Sequence, residues 1–177
     1  DETRPTNPQT DRARRRVDAE QTLIELGRAR GVNVSILRVP GIYAGDRLPI
    51  ERVRRGTPVL VDSEDVFTNH IHADDLAAIV VAALEHGASG AIYNASDDTE
   101  LKMGAWFDLI ADRARLPRPA RIPRAQAHAS IPAPLLSFMS ESRRLVNAKM
   151  KRDLRIILRY PTVHDGVPPT IDSPASA

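Results

Sequence analysis

The sequence predicts an α/β fold with a mainly parallel sheet and a small, mostly helical cap towards its C-terminal end. Three observations lead there. Helical and extended patterns alternate from Pro8 to Ala95, the pattern of α/β proteins with parallel strands. Val34, Ile36, Leu37 and Val39 form a short apolar run that stops sharply at Pro40-Gly41, as a strand buried on both faces and its exit turn do. After Leu101 the texture changes, and prolines at 117, 119, 123, 132 and 134 cut the chain into short elements.

Taken in order, the chain opens Asp1-Glu2-Thr3-Arg4-Pro5 without an initiating methionine, the expectation being a chain that starts inside a longer protein. Thr6 or Asn7 before Pro8 supplies a capping oxygen and then a proline at the first helical position. The helix is predicted from about Pro8 to Arg30, burying Val17, Ile24 and Ala13 and stopping at Gly31. The Val34 strand follows. Leu48 to Arg55 has helical spacing closed by Gly56, while Thr57–Val61 and Phe67–Ile71 read as short strands. Asp74 or its neighbour starts a helix to His86 with Leu76, Ile79, Val80, Ala83 and Leu84 on one broad buried face. Ala91 to Ala95 is an apolar strand bounded by Gly90 and Ser96-Asp97-Asp98. Met103 to Arg115 is an amphipathic helix through Trp106, Leu109 and Ile110, with Trp106 and Phe107 as core residues of the cap, and a last helix is predicted from Ser142 to Leu154. The expected organisation is a sheet-forming part over residues 1–98, a cap over 99–165 and a disordered tail over 166–177.

Composition narrows the function classes. The chain has 177 residues, 42% of them hydrophobic, enough for one domain and its core. It has no cysteine, so disulfides, thiolate metal sites and thiol nucleophiles are excluded, and a reducing cytoplasm is the expected setting. The longest apolar run, Leu76 to Leu84, is too short to cross a bilayer, so no membrane is expected as partner. The formal charge is only +2, with arginines clustered at 12–16, 52–55 and 143–159. These are interleaved with acids and come with few aromatic stacking residues, which reads as solvated helix faces rather than a nucleic-acid surface. His72 and Asp74-Asp75 do not make a metal site by proximity in sequence alone; structural roles are expected of them.

Leu37-Arg38-Val39-Pro40-Gly41-Ile42-Tyr43 followed by Gly45 resembles the "LRpgxxYG" signature of the extended and atypical short-chain dehydrogenases, the NAD-dependent epimerase/dehydratase family. Ala19-Glu20 resembles the end of its "YxxSKxxAE" stretch, Ile71-His72-Ala73-Asp74-Asp75-Leu76-Ala77 its "IHVDDLA", and Ala91 to Ser96 its "xxYNvgs". The pieces keep the family's order and cover only the C-terminal part of such a protein. The resemblance implies half of a Rossmann-like doubly wound sheet, a cap over the substrate, NAD or NADP as cofactor and an unknown small-molecule substrate. A homodimer is a further expectation.

The departures carry as much information as the matches. Counting back from Ala19-Glu20, the positions of the family's catalytic tyrosine and lysine fall on Arg12 and Arg16, one helical turn apart. An arginine is not deprotonated near neutral pH, so Arg12 cannot transfer a proton. Arg16 has two readings: it binds ribose or phosphate oxygens of the cofactor, or it pairs with Glu20 at i+4. No two glycines are separated by a single residue, so the phosphate-cradling GxGxxG is absent and cofactor binding would need the half not present here. In parallel sheets ligands lie beyond the carboxyl ends of strands, and the resemblance places Pro40, Gly41 and Ile42 against the nicotinamide. It also makes His70, at a strand end facing the cap, a substrate residue, with Arg143 or Arg144 gripping an anionic group. The family's nucleotide-sugar enzymes often carry an arginine where this chain has Thr68. The expected function is an NAD(P)-binding, dehydrogenase- or epimerase-like protein, and the rival is a non-catalytic dinucleotide-sensing or interaction protein on the same fold.

Overall fold

The computed structural model describes residues 1–139 and 141–171. In chain order its elements are α1 (Asp11–Arg30), β1 (Ile36–Arg38), β2 (Gly41–Tyr43), α2 (Ile50–Arg54), β3 (Val59–Leu60), β4 (Phe67–Thr68) and β5 (His70–His72). Then come α3 (Ala73–His86), β6 (Ile92–Asn94), β7 (Leu101–Lys102), α4 (Met103–Arg113) and β8 (Arg121–Ile122). The chain closes with α5 (Arg124–Ser130), α6 (Ala133–Phe138), α7 (Ala148–Asp153) and α8 (Val163–Gly166). Among the described residues the strands form four two-stranded pairs, β1 with β6, β2 with β5 and β3 with β8 parallel, and β4 with β7 antiparallel. The class is therefore mixed α/β with parallel pairing. Strands of two or three residues, each with a single partner, do not make the expected doubly wound sheet.

Two compact units interleave along the chain: residues 1–40, 73–96 and 145–159 make one, and the described residues of 41–72, 97–144 and 160–171 the other. In the first unit α1 is capped by Thr10, whose Oγ1 accepts the N–H of Ala13 at 3.2 Å, and not by Thr6 or Asn7. Pro8 therefore precedes the helix. Gly31 ends it with φ 64°, a left-handed conformation that favours glycine. The stripe through Ala13, Val17 and Ile24 is half-buried and converges on Gly27, where an added Cβ would sit 2.6 Å from Val34 Cγ2. That close approach fixes α1 against the segment entering β1. The strand itself is half-buried at Ile36, Leu37 and Arg38 rather than fully buried, and pairs with β6 along one edge.

Helix α3 buries Asp75, Ile79 and Ala82, so its covered face is rotated away from the expected one and leaves Val80 and Leu84 outside. Tyr93, Met150 and Leu154 complete this unit's core, and α7 begins only at Ala148 instead of Ser142.

The second unit is built around Tyr43, Val59, Leu60, Trp106, Phe107 and Ile110, all nearly or fully buried. Helix α4 buries Trp106 and Ile110 as its apolar spacing predicts, with Phe107 and Ala111 beside them and Leu109 half-buried. The predicted tail from 166 is held at least as far as Ile171: Val167 and Ile171 are buried, and the Ile171 N–H bonds the Arg113 carbonyl at 2.9 Å. Residues 172–177 lie outside the described residues. The arginine clusters are mostly solvated, with one exception. Arg52 lays its guanidinium 3.8 Å from the centre of the Phe107 ring, and burial lowers its pKa to about 10. No helix among the described residues is long and apolar enough to cross a membrane.

Candidate functional site

In the first unit, Arg12 and Arg16 stand exposed on α1, and Pro40 follows the end of β1. Glu20 does not pair with Arg16. Its carboxylate is taken by Arg38 at the end of β1, with Nε 3.0 Å from Oε1 and Nη2 2.7 Å from Oε2. A planar fork on a part-buried carboxylate outcompetes a flexible i+4 partner at the surface. The hydrogen bond to Glu20 raises the Arg38 pKa further, against the effect of burial. Beyond the carboxyl end of β6 the Asn94 N–H donates to Glu2 at 2.8 Å, and its side-chain amide donates to the Val146 carbonyl at 3.2 Å. Asn147 donates to the Ser96 carbonyl at 2.8 Å. Polar groups thus crowd this strand end.

In the second unit the pairing of β2 with β5 sets Gly41 opposite His70 and Ile42 opposite Ile71. Ile42 is 44% exposed, whereas His70 is 5% exposed. The His70 imidazole lies 4.4 Å from the Trp106 ring and edge-on to Tyr43 at 6.3 Å. Burial alone lowers its pKa to about 4, so the ring is neutral at physiological pH. Its Nδ1 is buried and meets no hydrogen-bond partner among the described residues. A Cβ on Gly41 would stand 3.3 Å from the Asn69 carbonyl oxygen and 3.5 Å from His70 Cδ2. The glycine thus lets β2 lie close against the backbone at Asn69 and the His70 ring.

Arg143 and Arg144 join the same unit along β4. The Phe67 N–H bonds Ser142 Oγ at 3.1 Å, the Arg143 N–H bonds the Phe67 carbonyl at 3.4 Å, and the Asn69 amide bonds the Arg143 carbonyl at 2.9 Å. Their side chains are exposed: Arg143 pairs with Glu141, and Arg144 lies 3.4 Å from Glu100 and over the Phe67 ring. Gly41, Ile42 and His70 thus lie on the β2–β5 pair, while the Arg143-Arg144 segment runs beside β4 and Asn69 of the same unit.

Trp106 and Asp97 lie beside His70, and the sequence reading did not place them there. Asp97 is buried, donates its N–H to the His70 carbonyl at 2.8 Å and accepts the Thr99 N–H at 2.9 Å. The rule that singled out Pro40 applied equally to Asp97, which also follows an apolar strand. His72 is a structural residue, its ring 4.0 Å from Tyr160, and Asp75 accepts the Arg159 N–H at 2.8 Å. Among the described residues no three His, Asp or Glu side chains gather as a metal site.

No family model and no curated protein matches the sequence, but solved structures match the fold. A functionally unknown conserved protein from Silicibacter pomeroyi superposes with a TM-score of 0.77 at 29% identity, over 93% of this chain and 57% of that one. The dTDP-glucose 4,6-dehydratase of Bacillus anthracis, solved in complex with NAD, gives 0.69 at 15% identity over 92% of this chain and 51% of its own. UDP-glucose 4-epimerase of Thermotoga maritima, solved with UDP-glucose, gives 0.67 at 17% identity, over 88% of this chain and 50% of its own. The chain is a structural match to the NAD-dependent epimerase/dehydratase family.

It spans about half the length of these epimerase/dehydratase structures. Each family-like piece of sequence has a visible structural task. Glu20 and Arg38 tie the "AE" piece to the "LR" piece. Tyr43 packs edge-on against His72 at 5.2 Å, which ties the "YG" and "IH" pieces. The sequence has no glycine-rich turn of the kind that cradles a pyrophosphate.

Proposed function

We propose that this chain is the cofactor-closing and substrate-side part of an NAD(P)-binding short-chain dehydrogenase-like protein, of oxidoreductase or epimerase/dehydratase type. What supports this reading is the match in fold of 92% of the chain to about half of a dehydratase solved in complex with NAD, together with family-like motif residues that contact one another. Bound NAD or NADP supplies hydride chemistry. Pro40, Gly41 and Ile42 border the nicotinamide in this reading, and Arg16 reaches ribose or phosphate oxygens. His70 offers one neutral hydrogen-bonding nitrogen to the substrate. Arg143 and Arg144 exchange their exposed carboxylate partners for an anionic substrate group, at small cost because such surface pairs are weak. Arg12 moves no proton, so turnover requires another acid-base group.

The fixed charge at Arg12 also favours a second reading, a dinucleotide-sensing or interaction protein without turnover. Calorimetry with NADH and NADPH, on this chain and on a version joined to a glycine-rich strand-turn-helix half, tests both. Tight binding only by the joined form supports cofactor binding, and hydride exchange with a carbonyl substrate then selects the enzyme. No binding by either form overturns both readings.

A further inference from the structure

The charged residues of α2 are not alike. Glu51 and Arg54 pair with each other along the helix, whereas Arg52 turns inward. Its guanidinium lies 3.8 Å from the centre of the Phe107 ring, on α4, and that ring is 4% exposed. Arg52 Nε and Nη2 are buried by the chain's own atoms and meet no hydrogen-bond acceptor among the described residues. No further piece of chain is needed to take these two nitrogens out of water.

A desolvated cation without an acceptor gives up hydration that it does not recover, and the attraction of a ring face returns only part of it. Burial brings the Arg52 pKa down to about 10, so the group still carries its charge at neutral pH. The acids nearby are committed elsewhere. Asp65, whose charge reaches Arg52, accepts the N–H of Val66 at 2.8 Å and that of Gly104, at the start of α4, at 2.7 Å. On α4 itself Asp108 takes Arg121 at 2.6 Å, and Asp112 takes Arg118 at 2.7 Å.

Nε and Nη2 share one edge of the guanidinium, the edge that grips two oxygens at once. Elsewhere in the chain this edge is filled. Arg38 holds Glu20 through Nε at 3.0 Å and Nη2 at 2.7 Å, and Arg118 holds Asp112 through Nε at 2.8 Å and Nη2 at 2.7 Å. Arg52 presents the same fork without a carboxylate in it. A fold that leaves such a local rule broken commonly does so at a functional place. We propose that Arg52 is an oxyanion-binding residue, whose buried edge takes two oxygens of a phosphate or carboxylate group while its face stays on Phe107. The side chain as a whole is partly exposed, so it slides outward along the ring to receive the anion and leaves α2 in place. Arg143 and Arg144 differ, being exposed and already paired with Glu141 and Glu100.

Thermal unfolding of this chain in orthophosphate, and separately in acetate, against sodium chloride at equal ionic strength tests the site. Neither NAD(P) nor a glycine-rich half is needed, so a failure here leaves the cofactor reading untouched. The midpoint is expected to rise by a few degrees, and to saturate, in at least one of the two oxyanions beyond the chloride control. Arg52→Met, which keeps an apolar stem on Phe107 and removes the cation, is expected to unfold no lower than the parent in chloride and to lose the oxyanion response. Arg52→Lys, which keeps the charge but cannot fork, is expected to lose most of it. A parent chain that answers neither oxyanion beyond chloride overturns the proposal, as does a full response from either variant. An Arg52→Met midpoint well below the parent's in chloride means that Arg52 is satisfied where it lies, and overturns it too.

Discussion

Glu20 and Arg38, 18 residues apart, are joined by three hydrogen bonds: Arg38 Nε donates to both oxygens of Glu20 at 3.0 and 3.2 Å, and Nη2 donates to one at 2.7 Å. With the two side chains 26% and 19% exposed, this is a partly desolvated pair that orients α1 against the end of β1. Replacing Glu20 by Gln leaves a half-buried cation with a neutral partner, at a cost of about 1–2 kcal/mol. Arg38→Lys is expected to cost a similar amount, because an ammonium cannot fork. A lower urea midpoint at unchanged m-value checks both. A midpoint left in place would mean that the pair contributes nothing.

The buried imidazole of His70 makes stability depend on pH. Its folded pKa lies near 4 and its unfolded value is the ordinary 6.5. The unfolded chain therefore binds a proton first as pH falls, and the stabilising contribution, complete above 6.5, is lost between 6.5 and 4. The expected slope in this window is at most about 1.4 kcal/mol per pH unit. His70→Phe, which keeps the stacking on Trp106, is expected to flatten it. Denaturant unfolding at a series of pH values reads the difference between the two chains.

Gly166 is held by contact rather than by conformation. A Cβ there would come 2.3 Å from Tyr43 Oη and 2.9 Å from two ring carbons, against a side chain that is 2% exposed. Gly166→Ala is expected to destabilise by about 1–3 kcal/mol, as overpacking does. Gly45→Ala, where nothing lies within 4 Å, is the matched control and is expected to be neutral. Thermal unfolding of the pair decides it, and equal midpoints would contradict the packing.

A substitution at Gly41 tests the proposed cofactor site apart from folding. The nearest atom to an added Cβ is the Asn69 carbonyl oxygen at 3.3 Å, which a small shift relieves. Gly41→Ala is expected to leave the unfolding midpoint nearly in place. In a form joined to a glycine-rich half it is expected to weaken NADH or NADPH binding about tenfold, or ~1.4 kcal/mol. Unaltered affinity would remove Gly41 from the proposed site.

Some of these features were legible in the sequence and others were not. The stop of α1 at Gly31, the buried side of α4 and the strand end at Pro40 follow from glycine, apolar spacing and proline, which act within a turn of chain. The start of α1 was misplaced because Thr6, Asn7 and Thr10 are all acceptable caps, and only the N–H that each oxygen can reach distinguishes them. The pairing of Gly41 with His70 was not legible, although both residues were singled out, because strand register is set by contacts far apart in the chain. That Asp97 and Trp106 lie beside His70 was not legible for the same reason.

By itself, the sequence determined that this is an α/β chain without thiol chemistry, carrying family-like pieces in family order but arginines where a proton-transferring tyrosine and its lysine would stand. These are statements of residue identity and local spacing, which no fold can alter. Tertiary structure alone decided that Glu20 belongs to Arg38 and not to Arg16, that His70 is desolvated into neutrality, and that α3 leaves its Val80 and Leu84 side uncovered. Burial, charge state and partner choice are sums over groups distant along the chain, and they have no value until the chain has brought those groups together.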